Sequence, residues 1–303
     1  MLKKLLLATT AVAALTVSSV APAFAQDVFR VGILGGENEA DRLRNNQCLI
    51  DLLPAAIGVS EVKLFPAADY DGVIQGLLGG TLDYAELGAS GYAKVYLTDP
   101  KAVDPVLTTE QVDGATGYYS IMLAKKETGI KNIQDMKGKS LGFADPDSTS
   151  GYLVPSVALP AQLGMPMDKY FASTGFGGGH ENGVLEMLKG TFDAAVTWSS
   201  GVGDYDDGYT AGNIRKMVDK GLLDMADVTE VWRSPLIPNG PIVVSNKLDK
   251  DVRAKFISFM KAMPTENPEC FKSVQGGVYK GFVDVNHSFY ETIVAARKAK
   301  IGS

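Results

Sequence analysis

Apolar positions along this chain repeat with two periods that take turns. FRVGILGG (29–36) is a short run rich in strand-forming residues, Phe29, Val31 and Ile33, and closes on glycines, which predicts a strand. In EADRLRNNQCLIDLLPAAIG (39–58), Leu43, Cys48, Leu49, Leu52 and Leu53 fall close to helical spacing. EVKLFPA (61–67) predicts a second strand, DYDGVIQGLLGG (69–80) a short helix, and LDYAELGA (82–89) a third strand. Such β-α-β-α-β alternation implies a parallel sheet covered by helices. The pattern returns after GYYSIMLAKK (117–126), itself a longer strand. DMKGKSLGFADPDSTSG (135–151) reads as strand then glycine-containing turn, with a helix to follow, and HENGVLEMLKGTFDAAVTW (180–198) as helix, turn and strand. EVWRSPLIPNGPIVVSNKL (230–248) is extended and broken by prolines, and DVRAKFISFMKAM (251–263) is an amphipathic helix.

Two α/β blocks result, around 26–116 and 127–230, joined by the extended runs 117–126 and 231–245. Two crossings mean that the chain leaves a first lobe, builds a second and returns. The expected division is lobe I at 26–122 plus 240–303 and lobe II at 123–239. The prolines of SPLIPNGP (234–241) suit a hinge strand, because each fixes φ and removes an N–H donor. Each lobe is expected to be a mainly parallel sheet flanked by helices, with a ligand in the cleft at the strand ends.

The ends of the chain change the picture. Lys3 and Lys4, the uncharged and mostly apolar run Leu5–Val20, and the small-x-small Ala23-Phe24-Ala25 form the pattern of a secretory signal peptide, residues 1–25. The residue directly after Ala25 is Gln26 and not a cysteine, so no lipid anchor is expected on the exported, periplasmic chain. Removing this segment leaves 278 of 303 residues and takes the formal charge from −6 to −8. An acidic protein of this kind is a poor partner for nucleic acid or anionic membrane. The only cysteines are Cys48 and Cys270, in a compartment that permits disulfides. A bridge between them and two separate buried thiols both remain open.

Chemistry concentrates in ADPDSTSGYLVPS (144–156). Ser148 or Thr149 can cap the predicted helix. First-turn N–H groups, three adjacent hydroxyls and the helix dipole then aim at one point and suit an oxyanion. A secreted hydrolase pairing His180 with Ser148, with Glu181 as orienter, is the rival in class. No G-x-S-x-G elbow accompanies that pair. Two distant histidines, no C-x-x-C and no H-E-x-x-H leave metal ligation unsupported, and GDYDDGY (203–209) fails as a calcium loop because Arg215 stands at its closing position. No G-x-G-x-x-G occurs either, so neither a metal nor a cofactor is expected.

Taken together, DPDSTSGYLVPS, GGGHEN (177–182) and WRSPLIPNGPIV (232–243) resemble the phosphonate-binding proteins of ABC importers, across nearly the whole mature chain. The resemblance implies a two-lobed type II periplasmic-binding-protein fold that closes on its ligand and delivers it to an ABC permease in the inner membrane. It also implies that the oxygens of a small phosphorus oxyanion sit on Ser148, Thr149 and Ser150, with His180, Tyr70 and Tyr118 completing the site. Receptors of this group that bind 2-aminoethylphosphonate hold its amine with two acidic residues. Here Ser200 and Gly240 stand at those positions, so a small uncharged substituent is expected unless Glu37, Glu39 or Glu86 substitutes from the other lobe. Trp198 offers an apolar or cation–π surface. A receptor for another small anion, such as a sulfonate, is the alternative within the same class.

Overall fold

In VFRVGI the odd positions Phe29, Val31 and Ile33 go to one face of a strand and into a core, with at most 9% of their area exposed. That strand, β1 (Val28–Ile33), is the first in a computed structural model that describes residues 27–301. The signal peptide expected at 1–25 lies outside the described residues. After β1 come α1 (Glu39–Ile57), β2 (Glu61–Pro66), α2 (Tyr70–Gly79), β3 (Tyr84–Glu86), α3 (Ala89–Thr98) and β4 (Val103–Glu110). The chain then makes β5 (Gly117–Lys125), β6 (Ser140–Phe143), α4 (Val154–Leu163), α5 (Met167–Tyr170), β7 (Ser173–Phe176), α6 (His180–Lys189) and β8 (Ala194–Ser199). It continues through α7 (Asn213–Asp219), β9 (Val228–Arg233), β10 (Ile237–Pro238) and β11 (Pro241–Ser245). It closes with α8 (Lys250–Glu266), α9 (Pro268–Gln275), β12 (Gly281–Asp284) and α10 (Glu291–Ile301).

Two sheets form, ordered β12-β4-β11-β3-β1-β2 and β10-β5-β8-β6-β7, with β9 also paired to β5. Helices cover both faces of each. In the first, α1, α8 and α9 pack on one side, where the rings of Phe29, Tyr84 and Phe256 meet, and α2, α3 and α10 on the other. In the second, α4 and α5 lie opposite α6 and α7.

Both sheets are mixed rather than mainly parallel. β1 runs parallel to β2 and β3, and β6 parallel to β7 and β8, as the alternation requires. Apart from the edge strand β12, which pairs antiparallel with β4, the antiparallel strands are those beside the crossings: β11 enters between β3 and β4, and β5 between β8 and β10. A strand that arrives from the neighbouring sheet starts at the cleft end and must run against strands that finish there.

All of β5 belongs to the second sheet, Tyr118 opposite Ile237 and Tyr119 opposite Ser199. The sheets therefore change over between Glu110 and Gly117 and again between Pro238 and Pro241. The crossings lie side by side. The Asn239 N–H donates to Thr116 O at 2.9 Å, and its amide donates to Thr109 O at 2.8 Å. Of the two readings of the cysteines, the bridge is present: Cys48 on α1 bonds Cys270 on α9, with Cα atoms 5.8 Å apart.

Candidate functional site

The hydroxyl-rich stretch begins where β6 stops. Asp145 folds the chain back by accepting the Asp147 N–H at 2.7 Å, and Ser148 caps the next element by accepting the Gly151 N–H at 3.0 Å. That element is a single wide turn, Thr149–Leu153, in which the Leu153 N–H reaches back five residues to Ser148 O. Wide turns of this kind are uncommon and recur at functional sites. α4 starts only after it, with Pro155 in its first turn, where no N–H is needed. Ser148, Thr149 and Ser150 are at most 2% exposed.

These hydroxyls face a cavity of about 220 Å³ lined by both sheets' elements. Tyr70 enters from the first turn of α2 and Tyr118 from β5, while His180 opens α6 after three glycines. All six residues expected to hold an oxyanion line this one cavity. Burial, with Asp145 adding to it, pushes the Tyr70 phenol up, and burial pushes up Tyr118 against the opposing hydroxyls of Ser150 and Thr149. Both phenols therefore stay protonated and able to donate. His180 Nε2 lies 3.1 Å from Ser148 Oγ, and its Nδ1 has no partner among the described residues. The Glu181 carboxylate, expected as orienter in the hydrolase reading, instead accepts from Lys220 at 2.7 Å. The Ser148–His180 pair thus lacks the third group that triad chemistry uses.

The profile of the family described as ABC transporter, phosphonate, periplasmic substrate-binding protein matches residues 31–290. The chain belongs to that family. Among its relatives is the phosphate-import protein PhnD of Mycolicibacterium smegmatis, 29% identical over 237 residues, which cover 75% of this chain and 68% of that one. The phosphonates-binding periplasmic protein of Escherichia coli is 26% identical over 245 residues, covering 78% of this chain and 68% of its own. In fold, the chain matches a binding protein component of an ABC phosphonate transporter from Pseudomonas aeruginosa. That match has a TM-score of 0.76 and 25% identity, over 91% of this chain and 87% of the other. Among the described residues no helix is long and apolar enough to cross a membrane.

The secondary candidates divide in relation to this cavity. Glu37, Glu86, Trp198 and Gly240 line the cavity. Ser200 does not, because its hydroxyl closes a turn with Thr210 Oγ1 at 3.0 Å. Gly240 cannot carry a longer side chain, since a Cβ there would run into the Leu87 carbonyl. Glu37 is already neutralised: Lys216 at 3.3 Å, outweighing burial and helped by Lys220, holds its carboxyl below the usual range. Glu39 is exposed at the start of α1. The sequence reading missed Lys216, Gln275, Tyr279 and Arg42, which also line the cavity. Only Arg42 left a signal, a charge on the buried side of α1, where its guanidinium donates to Leu34 O and Ala67 O and fixes the loops after β1 and β2.

Burial lowers the His180 pKa from 6.5 to about 4, so the imidazole is neutral at neutral pH. Between those values the unfolded chain holds a proton that the folded one refuses. Stability is therefore complete above 6.5 and drains away as pH falls towards 4. From pH 7 to pH 5 this one group is expected to cost about 2 kcal/mol. Denaturant titrations of the ligand-free protein and of His180→Gln check it: the parent should lose that much more than the variant. Equal losses would mean an imidazole that titrates normally.

Proposed function

We propose that this chain is a periplasmic receptor that binds a phosphonate or a related phosphorus oxyanion and delivers it to an ABC permease. The observation that carries the reading is the convergence of Ser148, Thr149, Ser150, Tyr70, Tyr118 and His180 on one cavity. All are neutral donors at neutral pH, and the first turn after Ser148 adds oriented N–H groups. Such a set binds an anion without placing a like charge against it. The names of the relatives, one a phosphate-import and one a phosphonates-binding protein, support the same head-group chemistry. Export by the segment 1–25 completes the reading, and we assign lobe I to 27–116 with 240–301 and lobe II to 117–239.

Contacts that span the cleft support closure of the lobes over the ligand. Thr149 Oγ1 accepts the Ser90 N–H at 2.8 Å, Lys216 meets Glu37, Lys220 meets Asp41 at 3.1 Å, and Asp147 meets Lys94 at 2.7 Å. The site has no activated nucleophile, so we propose binding without turnover. Phosphate release from phosphonates or phosphoesters that disappears in His180→Ala would overturn this.

Calorimetry of purified protein with phosphate, phosphite, methylphosphonate and methanesulfonate tests the ligand class, sulfonate binding alone favouring the alternative receptor. A hydroxyl that bonds a charged oxygen is worth about 1.5–3 kcal/mol, or roughly one to two decades of affinity. Ser150→Ala is expected to lose that much, and Thr149→Ala more, because it also strands the Ser90 N–H across the cleft. Both should keep the parent's circular dichroism. Unchanged affinity in both variants would move the anion site elsewhere.

A further inference from the structure

The wall opposite the hydroxyl turn carries a carboxylate. Glu86 ends β3, opposite Ile242 of β11, and lines the cavity with Gln275, whose amide donates to Glu86 Oε2 at 3.1 Å. Its depth in the protein is such that burial pushes the carboxyl up, yet the side chain keeps accessible area, and that area faces the cavity. None of the ion pairs among the described residues involves Glu86, and Lys216, whose charge acts on it from a distance, is bonded to Glu37. A negative group with one amide donor and no cation is costly to bury, and the cost falls when a positive partner arrives with the ligand.

Its position suits the far end of a ligand rather than the phosphorus. Gly88, two residues further along extended backbone, stands so close to Thr149 that a Cβ on it would lie 2.8 Å from Oγ1. Two extended residues span roughly 7 Å, so the Glu86 backbone stands off from the hydroxyl turn along a wall of the same cavity. Volume agrees. One water needs about 10–15 Å³ of such space, so a bare tetrahedral oxyanion fills only part of a cavity of about 220 Å³. Trp198, edge-on to Tyr118 at 5.3 Å, supplies an apolar wall to the same space.

We propose that Glu86, supported by Gln275, is the specificity-determining residue of this cavity and pairs with a protonated amine on the ligand's alkyl substituent. The inference rests on the phosphorus-oxyanion reading of the hydroxyl turn. It reverses the expectation drawn from Ser200 and Gly240: the counter-charge missing from those two positions comes from the first lobe. Of the three glutamates considered, Glu37 is spent on lysines and Glu39 is exposed and does not line the cavity, which leaves Glu86.

Calorimetric titration with 2-aminoethylphosphonate and propylphosphonate, which exchange an ammonium for a methyl group at equal length, tests it in the unaltered protein. Methylphosphonate and phosphate report on the head-group site alone. The amine is expected to bind at least tenfold tighter than propylphosphonate, and Glu86→Gln should erase that preference while leaving methylphosphonate affinity within threefold. Equal or tighter binding of propylphosphonate, or a preference that survives Glu86→Gln, overturns the Glu86 assignment and leaves the oxyanion reading standing. If none of the four ligands binds, the oxyanion reading fails and takes this inference with it.

Discussion

Gly179→Ala is expected to weaken phosphonate binding at least a hundredfold while both lobes stay folded. Gly179 sits at the mouth of α6 with φ +149°, and a Cβ there would overlap the Cα and carbonyl of Gly36, which follows β1 on the other side of the cleft. The contact is backbone against backbone, so no side chain can swing away. Gly36 itself holds φ +97°. The relief open to the variant is to part the lobes, and His180, the next residue, then leaves the cavity. The backbone cost of alanine at positive φ, about 1–3 kcal/mol, is a separate effect, and Gly178→Ala isolates it. That residue has φ +82°, and a Cβ on it would meet nothing within 4 Å. Calorimetric affinity and thermal midpoints of the two variants separate the effects. Both should melt somewhat lower than the parent, but only Gly179→Ala should lose the ligand. Similar affinities for the two would mean that this contact does not limit closure.

The parts of this molecule that are governed by near neighbours could be read from the sequence. The run from β1 to β3 follows from its changing periodicity, and the hydroxyl turn from Ser148 acting as a cap three residues ahead of Gly151. β3 is shorter than expected because the Leu82 N–H bonds back to Gly76 O, which assigns Leu82 to the turn after α2. α3 gave no clean periodicity, since Ala89, Ser90, Gly91, Tyr92, Ala93 and Val95 are all buried and no polar stripe is left to read. The antiparallel half of each sheet depends on partners seventy or more residues apart, such as Tyr119 with Ser199, Tyr118 with Ile237 and Thr108 with Pro241. The site divides the same way. Ser148, Thr149, Ser150 and His180 sit in local motifs, whereas Lys216 and Gln275 reach the cavity only because α7 and α9 pack against its walls. Ser200 escapes a sequence reading for a related reason: its hydroxyl turns to Thr210, a partner that only the folded loop provides.

Replacing both bridged cysteines, Cys48→Ala with Cys270→Ala, is expected to cost about 2–5 kcal/mol of stability and to leave ligand affinity within several-fold. The bridge spans 222 residues and so encloses the entire second sheet. In the chain-entropy account, a closed loop of that length restricts the unfolded chain by roughly 5 kcal/mol. Alanine is the better replacement because Cys270 is buried in the first core, where a serine hydroxyl would need a partner. Binding should suffer less than stability, because packing already holds the linked helices: Leu49 and Leu53 of α1 share a core with Phe271 of α9, and Ser273 donates to Asn45 O at 3.0 Å. Those same helices carry Asn45, Asn46 and Gln275 to the cavity wall. Any residual loss should therefore fall on ligands that reach towards Glu86 and spare inorganic phosphate. Guanidinium unfolding of parent and double variant, with and without a thiol reductant, provides the check. A reductant-insensitive parent that unfolds at the same midpoint as the variant would show that the bridge contributes nothing to stability. A variant that lost phosphate binding outright would show that the bridge, rather than the packing of α1 on α9, holds the cavity wall.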